Sequence, residues 1–322
     1  MNWATRLEAK PSIYKMQGIS LVELIVALGL GAFLMLGLTQ VFLANLQTSS
    51  LQDDFSRVQE NGRIGVEMLV KEIRMADFNG CMPSTADVTN LLDTTDPDYD
   101  AANMDFLAGG VGGANNVSAT VIGGKTLVNG TDTLILRGMV DACGGLGRMT
   151  GTNPAASFSI SNVDCPITQG DILVLANCSG GDMFSVSNRN MSNVTVVHNT
   201  GTNTLAGAVE NASKILSRTY GSGSNILKPY KKTFFVADGV NGNSLFLNDT
   251  GTIMELVTNI TDFQIRYGED TDGDGAINIY RTANNVDDFT EVKSVEITLT
   301  VASGDVDKTY KAIGNIRNRT NL

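Results

Sequence analysis

Residues 18–46 read GISLVELIVALGLGAFLMLGLTQVFLANL, and the run from Leu24 to Leu46 contains no charged residue. An apolar run of this length is enough to span a bilayer as one helix. Residues 1–18 contain three basic side chains and one acidic side chain. Positive charge before a span holds the N-terminus in the cytoplasm. The sequence therefore predicts a single-pass membrane anchor whose remaining chain is exported.

One carboxylate lies at the edge of this apolar run. Glu23 follows Val22 and precedes Leu24, so it has apolar neighbours on both sides. A charged side chain in such a place is costly unless it finds a partner. An ordinary secretory signal would instead carry a small-residue cleavage site after a shorter apolar run. The position of Glu23 therefore requires an explanation of its own.

The segment from Gly18 to Glu23, followed by an apolar helix, resembles the type III signal of type IV pilins and type II secretion pseudopilins. The resemblance implies that a prepilin peptidase cuts between Gly18 and Ile19, removes residues 1–18 as a leader and methylates the new N-terminus. Ile19 stands where the family usually has Phe. Glu23 becomes the fifth residue of the mature chain, where it can pair with the N-terminal amine of a neighbouring subunit.

The helical period continues beyond the apolar run. Apolar or small residues recur every three or four positions from Phe55 to Ile73, with charged residues between them. Asn79-Gly80 is a suitable stop. We predict one continuous helix, in which residues 19–47 form the membrane-spanning and filament-core half and residues 48–78 form an amphipathic half.

Apolar alternation with a period of two takes over after Cys81, interrupted by Asn, Gly and Asp turns. The clearest predicted strands are residues 133–137, 171–176, 233–237, 244–247, 263–267 and 292–301. The last alternates cleanly, which favours a sheet with one face buried against the helix. Residues 93–118 are acidic and then Gly-rich, and we interpret them as a loop. The predicted fold class is α+β, with the long N-terminal helix packed on a β-rich periplasmic domain of residues 79–322.

Several further segments are similar to the PilW group of minor pilins, which is itself similar to the J-type minor pseudopilin of type II secretion. These segments are residues 59–63, 74–81, 267–275, 292–301 and 317–319. The resemblance implies a pilin-like fold and a minor pilin that nucleates type IV pilus assembly near the tip. The alternative is a J-type minor pseudopilin of a type II secretion system.

The resemblance also implies partners and a location. The implied partners are other minor pilins, the major pilin, the prepilin peptidase and the inner-membrane assembly platform, and a tip adhesin is left open. The implied location is the bacterial inner membrane, with a periplasmic C-terminal domain, and afterwards the pilus.

Net charge and motif content argue against other function classes. The net charge is −11, and because the leader holds three basic side chains and one acidic one, the mature side chains sum to −13. Such a chain repels a phosphate backbone, so nucleic acid is not expected as a primary partner. The sequence contains no G-x-S-x-G, P-loop or H-E-x-x-H motif, and we do not expect an enzyme. His198, the only histidine, lies at a predicted strand end and is interpreted as a satisfied surface or edge residue.

The four cysteines predict disulfides because the domain is expected to be exported. Four cysteines allow three pairings, and their spacing does not fit zinc, since no CxxC occurs. We predict Cys165–Cys178 as the local pair and Cys81–Cys143 as the remaining one.

Asp270, Asp272, Asp274 and Gly275 form D-x-D-x-D-G, the first half of an EF-hand-like calcium loop. Alternating carboxylates place several hard oxygens on one side of a tight turn, and Asn278 offers a further oxygen. The twelfth position is Arg281 rather than the usual bidentate Glu, so the standard loop is incomplete. The sequence predicts a calcium site here, with a plain acidic surface turn as the alternative.

Overall fold

The computed structural model describes residues 18–145, 148–150, 156–189, 194–201 and 205–319. Apart from Gly18, the predicted leader lies outside the described residues. The chain divides into two compact units, one that ends at Asp53 and one that comprises Asp54–Leu322.

A single long helix, α1, comprises Leu21–Met75. It contains no proline, and its first half is rich in Leu, which loses little side-chain freedom in a helix. The large apolar side chains from Ile19 to Leu46 are all exposed. By length and composition, α1 is the one helix among the described residues that can cross a membrane, as the sequence predicts.

The second half of α1 is amphipathic. Val58, Leu69 and Ile73 of the predicted stripe are fully buried, together with Gly62. Phe55, predicted to belong to the same stripe, remains 48% exposed. The stripe therefore begins at Val58, one helical turn later than its sequence pattern indicates.

The helix ends at Met75, slightly before the predicted stop. Asp77 and Gly80 follow with φ values of 60° and 68°. This left-handed conformation ends helices and is easiest for glycine.

Eighteen strands follow in the described residues, with three short 3-10 helices at Thr85–Asp87, Ala283–Asn285 and Phe289–Glu291. The strands are β1 (Val88–Asn90), β2 (Val111–Ala114), β3 (Val121–Ile122), β4 (Lys125–Thr126), β5 (Thr133–Asp141), β6 (Met149–Thr150), β7 (Ser157–Ile160), β8 (Ile172–Asn177), β9 (Gly180–Ser185), β10 (Asn188–Arg189), β11 (Thr195–Val197), β12 (Asn225–Gly239), β13 (Gly242–Asp249), β14 (Thr252–Thr258), β15 (Ile260–Glu269), β16 (Ile279–Arg281), β17 (Val292–Ser303) and β18 (Val306–Asn315).

These strands form four sheets within the described part of the chain. The largest sheet follows the order β1-β9-β8-β12-β13-β14, and in it β5 pairs with both β12 and β2. The second follows β10-β11-β7-β6, the third β16-β15-β17-β18, and the fourth is the hairpin β3-β4. All pairs are antiparallel except β1 and β9, which are parallel.

The main apolar core is formed by the second half of α1, the third sheet and the central strands of the largest sheet. The fully buried residues of β17 are the four that its alternation predicts: Val295, Ile297, Leu299 and Val301. They pack in one cluster with Val58, Leu69 and Ile73 of α1. The fold is therefore α+β and pilin-like, with one long apolar N-terminal helix and a β-rich C-terminal domain, as the sequence predicts.

All six predicted strands coincide with observed strands, but the loop predicted for residues 93–118 is wrong in part because it contains β2. Two glycines hide this strand in the sequence, and the structure requires one of them. A Cβ on Gly113 would overlap the Thr133 carbonyl and the Tyr267 hydroxyl. The Tyr267 hydroxyl donates to the Gly112 carbonyl at 3.0 Å. Glycine therefore lets β2 approach its neighbours closely.

Candidate functional site

The predicted processing and assembly residues lie at the start of α1. Gly18 and Ile19 precede the helix, and Ile19 is 76% exposed. Glu23 lies in the first turn, where the partial positive charge of a helix N-terminus favours a carboxylate. No basic side chain of the described residues forms an ion pair with Glu23.

Glycines in the second half of α1 let the helix lie close to the sheet. A Cβ on Gly62 would overlap the ring of Tyr310 in β18, and one on Gly65 would lie 2.8 Å from a methyl group of Leu299 in β17. The Tyr310 hydroxyl donates to the Val58 carbonyl at 3.2 Å. Gly62 belongs to the 59–63 segment that resembles minor pilins, so the structure gives that segment a packing role.

Polar contacts hold the same half of the helix from its other side. The Asn61 amide donates to the Thr258 carbonyl of β14 at 3.1 Å. Glu72 and Lys232 of β12 form an ion pair at 2.7 Å, with both side chains about one fifth exposed. These contacts fix the rotation of the helix about its axis.

The end of the chain binds the end of the helix, a contact that the sequence reasoning missed. The Asn318 amide donates to the Ala76 carbonyl at 2.8 Å. Arg319 forms an ion pair with Asp77 and donates to the Val292 carbonyl at 3.0 Å. The sequence contains a signal for this contact, because residues 74–81 and residues 317–319 both carry the resemblance to minor pilins. Their partnership, however, depends on the tertiary fold.

The acidic loop after β15 brings the three predicted carboxylates together. Oxygens of Asp270, Asp272 and Asp274 lie within 4.8 Å of one another. Asp270 is buried, and the other two are exposed. The Asn278 side chain joins them by donating to Asp272 at 3.2 Å and accepting from the Thr271 N–H at 2.7 Å.

The two oxygens of Asp270 have partners within the protein. They accept hydrogen bonds from the N–H groups of Gly273 and Gly275 at 2.8 Å, and the Lys293 ammonium lies 3.7 Å away. Burial alone would raise the pKa of the Asp270 carboxyl, but these hydrogen bonds and the Lys293 charge together lower it below its usual value. Asp270 therefore stays ionised and holds the turn.

The donor chemistry of this loop suits a hard cation such as calcium, which prefers carboxylate and amide oxygens. Arg281, at the twelfth position, contributes nothing to it. Arg281 forms an ion pair with Asp287 and lies 3.6 Å from Glu269, both outside the cluster. The carboxylates of Asp270, Asp272 and Asp274 are the groups that would hold the ion, and those of Asp272 and Asp274 are exposed to solvent.

The disulfide pairing predicted from the sequence is wrong. The structure contains Cys81–Cys178 and Cys143–Cys165, with Cα atoms 4.7 Å and 4.6 Å apart. All four cysteines are therefore paired, as expected for an exported domain, but in a different combination.

Strand topology explains the error. Strand β8 lies between Cys165 and Cys178, and its six extended residues span roughly 20 Å. It therefore separates the pair that is closest in sequence. Cys178 lies in the β8–β9 turn. Ala176 of β8 pairs with Asn225 of β12, whose amide lies 3.9 Å from the Cys81 sulfur. Cys143 and Cys165 are buried together in a separate apolar cluster.

His198 is not the satisfied surface or edge residue that we predicted. Its side chain is fully buried, 4.8 Å from the ring of Phe184 and 6.1 Å from that of Phe158 between ring centroids. Neither ring nitrogen has a hydrogen-bond partner among the described residues. Burial lowers the pKa of His198 to about 4, against the opposing effect of the Asp182 charge. The signal missed was the alternation of residues 194–198, which places His198 on the buried face of Val196.

The family model described as "Type IV Pilus-assembly protein W" (PilW) matches residues 233–317. The matched part runs from within β12 to just beyond β18, so it includes the acidic loop and the sheet that packs on α1. Neither a curated protein nor a solved structure matches the chain. The match supports the PilW resemblance seen in the sequence and a protein related to the type IV pilus.

Proposed function

We propose that the chain is a minor pilin that primes type IV pilus assembly near the pilus tip, after a prepilin peptidase removes residues 1–18. The observation that carries the proposal is Glu23 at the start of an exposed apolar helix, in a chain whose residues 233–317 match the PilW model. A filament subunit needs both features, because the helix anchors it and then packs beside its neighbours.

The mechanism is mechanical rather than catalytic. Cleavage frees the amine of Ile19, which is a cation at neutral pH. Within lipid, the carboxylate of Glu23 is stabilised by pairing with such an amine on an adjacent subunit, and this pairing sets the axial position of the next helix. The apolar surface up to Leu46 leaves the lipid as it packs against other pilins. The partners are the other minor pilins, the major pilin and the inner-membrane assembly platform.

Processing is tested by mass spectrometry of the full chain purified from cells with an active prepilin peptidase. The expected mature protein begins with N-methylated Ile19. An intact leader in those cells would contradict the proposal.

The assembly role is tested with Glu23→Ala, introduced in place of the wild-type gene. We expect normal cleavage but few surface pili and weak twitching, because the desolvated carboxylate no longer guides docking. Glu60→Ala is the matched control, since Glu60 is an exposed acid later on the same helix. Normal piliation in the Glu23 variant would reject the role.

The phenotype of a deletion strain distinguishes the minor pilin from the alternative, a J-type minor pseudopilin of a type II secretion system. Loss of pili with intact protein secretion supports the minor pilin. Loss of secretion with intact pili would assign the chain to a secretion system.

A further inference from the structure

A groove of about 570 Å³ lies beside the second half of α1, where the helix passes the last strand, β18. Its apolar lining includes Val66 and Val70 from the helix and Ala312 and Ile313 from β18. Ile313 is 49% exposed. The groove therefore presents apolar surface that nothing in the described chain covers.

Strand β18 is the edge of its sheet. It pairs with β17 over ten positions, from Ser294↔Asn315 to Ser303↔Val306. Along its other side, no strand of the described residues pairs with it. An open edge of ten residues presents unpaired N–H and C=O groups, and such an edge is a template for another extended chain.

The groove carries positive charge on an otherwise acidic protein. Lys71 and Arg74 line it, both are exposed, and neither forms an ion pair with the described residues. The one acid in the lining, Glu67, is held by Arg63 at 2.8 Å. Because the net charge of the chain is −11, two unpaired cations in one groove favour an acidic occupant.

We infer that this groove binds an extended acidic segment of a partner polypeptide, which adds as a strand to the open edge of β18. Every second side chain of that segment points toward α1, and along this face apolar residues contact Val66 and Val70 while acidic residues meet Lys71 and Arg74. The open backbone edge selects a polypeptide over a lipid or another polyanion, because only a peptide backbone can complete the hydrogen bonds of β18. The inference rests on the β-rich domain itself and does not depend on which filament the chain joins.

The test uses the full chain in detergent micelles and a labelled ten-residue peptide, the valine–glutamate peptide, in which every second residue is threonine and the residues between them alternate valine with glutamate, so that both reach the same face of the strand. Fluorescence anisotropy should show saturable binding, at least about tenfold tighter than that of a matched valine–lysine peptide. Methylating alternate backbone nitrogens of the valine–glutamate peptide removes its donors, and binding should then be lost.

The protein side is tested with the double variant Lys71→Glu/Arg74→Glu. Both residues are exposed, so an unchanged melting temperature shows that the fold is kept. The valine–glutamate peptide should bind this variant about tenfold more weakly. Lys214→Glu, an exposed lysine far from the groove in sequence, is the matched control and should bind as the wild type does.

Three results would overturn the inference. The first is absence of binding at millimolar peptide. The second is equal binding of the methylated peptide, which would mean that the groove recognises charge alone. The third is a dimer of the full chain that the double variant dissociates, which would assign the groove to a second copy of this chain.

Discussion

Residues 81–232 and residues 233–317 belong to the same domain but are stabilised in different ways. In the second region, most consecutive strands pair as hairpins over many positions. Strand β17, for example, pairs with β15 on one side and with β18 on the other along most of its length. This region contains no cysteine. Its buried face and the helix form most of one apolar core, to which Val111, Leu134 and Leu136 of the first region also belong. Hairpin pairing and apolar burial are therefore the main contacts that stabilise it.

The first region has shorter strands and connections that are distant in sequence. Strand β1 pairs in parallel with β9, and β8 pairs both with the adjacent β9 and with the distant β12, where Ala176 meets Asn225. All four cysteines lie here, and the two disulfides close separations of 97 and 22 residues. A disulfide stabilises most where it closes a long loop, because it removes the most conformational entropy from the unfolded chain. The disulfides therefore add stability where the paired strands are distant in sequence.

The largest effect that we predict is the decrease in the free energy of unfolding when the exposed disulfide, Cys81–Cys178, is reduced. Cys81 and Cys178 are exposed, whereas Cys143 and Cys165 are buried. A mild reductant should therefore reduce Cys81–Cys178 first. In the chain-entropy treatment, a loop of 97 residues contributes about 4–5 kcal/mol to the free energy of unfolding. Alkylation and peptide mapping of the full chain in detergent show which disulfide is reduced first. Thermal melting of the same samples measures the resulting loss of stability.

Hydrogen exchange on the same reduced sample tests the comparison between the two regions. The amides of β8 and β9 should lose protection, while those of β15 and β17 keep it. A Cys81→Ala/Cys178→Ala variant is the control for side reactions of the reductant. If β15 and β17 lose protection to the same extent, the two regions unfold as one unit and the comparison fails.

The second prediction concerns pH and again acts on the first region. The pKa of buried His198 is lowered to about 4, from about 6.5 in an unfolded chain. Between these values the unfolded state binds more protons, so stability is complete above pH 6.5 and falls as the pH is lowered toward 4. The loss amounts to about 3 kcal/mol. Because the chain has one histidine, replacing His198 removes the only imidazole that titrates in this window.

His198→Phe should remove most of the slope between pH 6.5 and 4, because phenylalanine fills the aromatic site beside Phe184 without a titrating group. Urea unfolding of both proteins at several pH values measures the slope. An equal slope in the two proteins would show that groups other than His198 cause the acid sensitivity.

The difference between the regions also explains how far the sequence could predict the structure. Strand β17 was predictable because its alternation is complete and its pairing partners are its neighbours in the chain. The disulfides were not, because Cys81 and Cys178 lie together only in the tertiary fold, beside the pairing of β8 with β12. The contact of Arg319 with Asp77 likewise joins the two ends of the domain. Periodicity reports which face of an element is buried, but not which distant element covers it.

For the candidate site, the sequence identified the residues and the structure supplied their surroundings. The three carboxylates of the acidic loop lie together because they are adjacent in the chain and the loop turns sharply at Gly273 and Gly275. The burial of His198 follows from its alternation with Val196, which places both side chains on the same buried face. Its residue type alone indicates a polar surface position. The role of Gly62 depends on Tyr310, a residue that no local pattern connects to it.

The smallest effect that we predict is the stabilisation by calcium bound to Asp270, Asp272 and Asp274. The bound ion would cross-link a loop of the second region, as the disulfides cross-link the first region. Since the loop lacks a twelfth ligand, we expect the weak affinity of extracellular modules, about 10⁻⁴–10⁻³ M. At millimolar calcium, mass action then stabilises the folded state by about 1 kcal/mol and raises the melting temperature by about 2–4 °C. Asp272→Ala should abolish that rise, and Asp305→Ala, an exposed acid in the β17–β18 turn, should preserve it. If titration calorimetry detects no binding at millimolar calcium, the loop is an acidic turn held by the backbone hydrogen bonds to Asp270, and the second region depends on its strand pairing and apolar core without a metal.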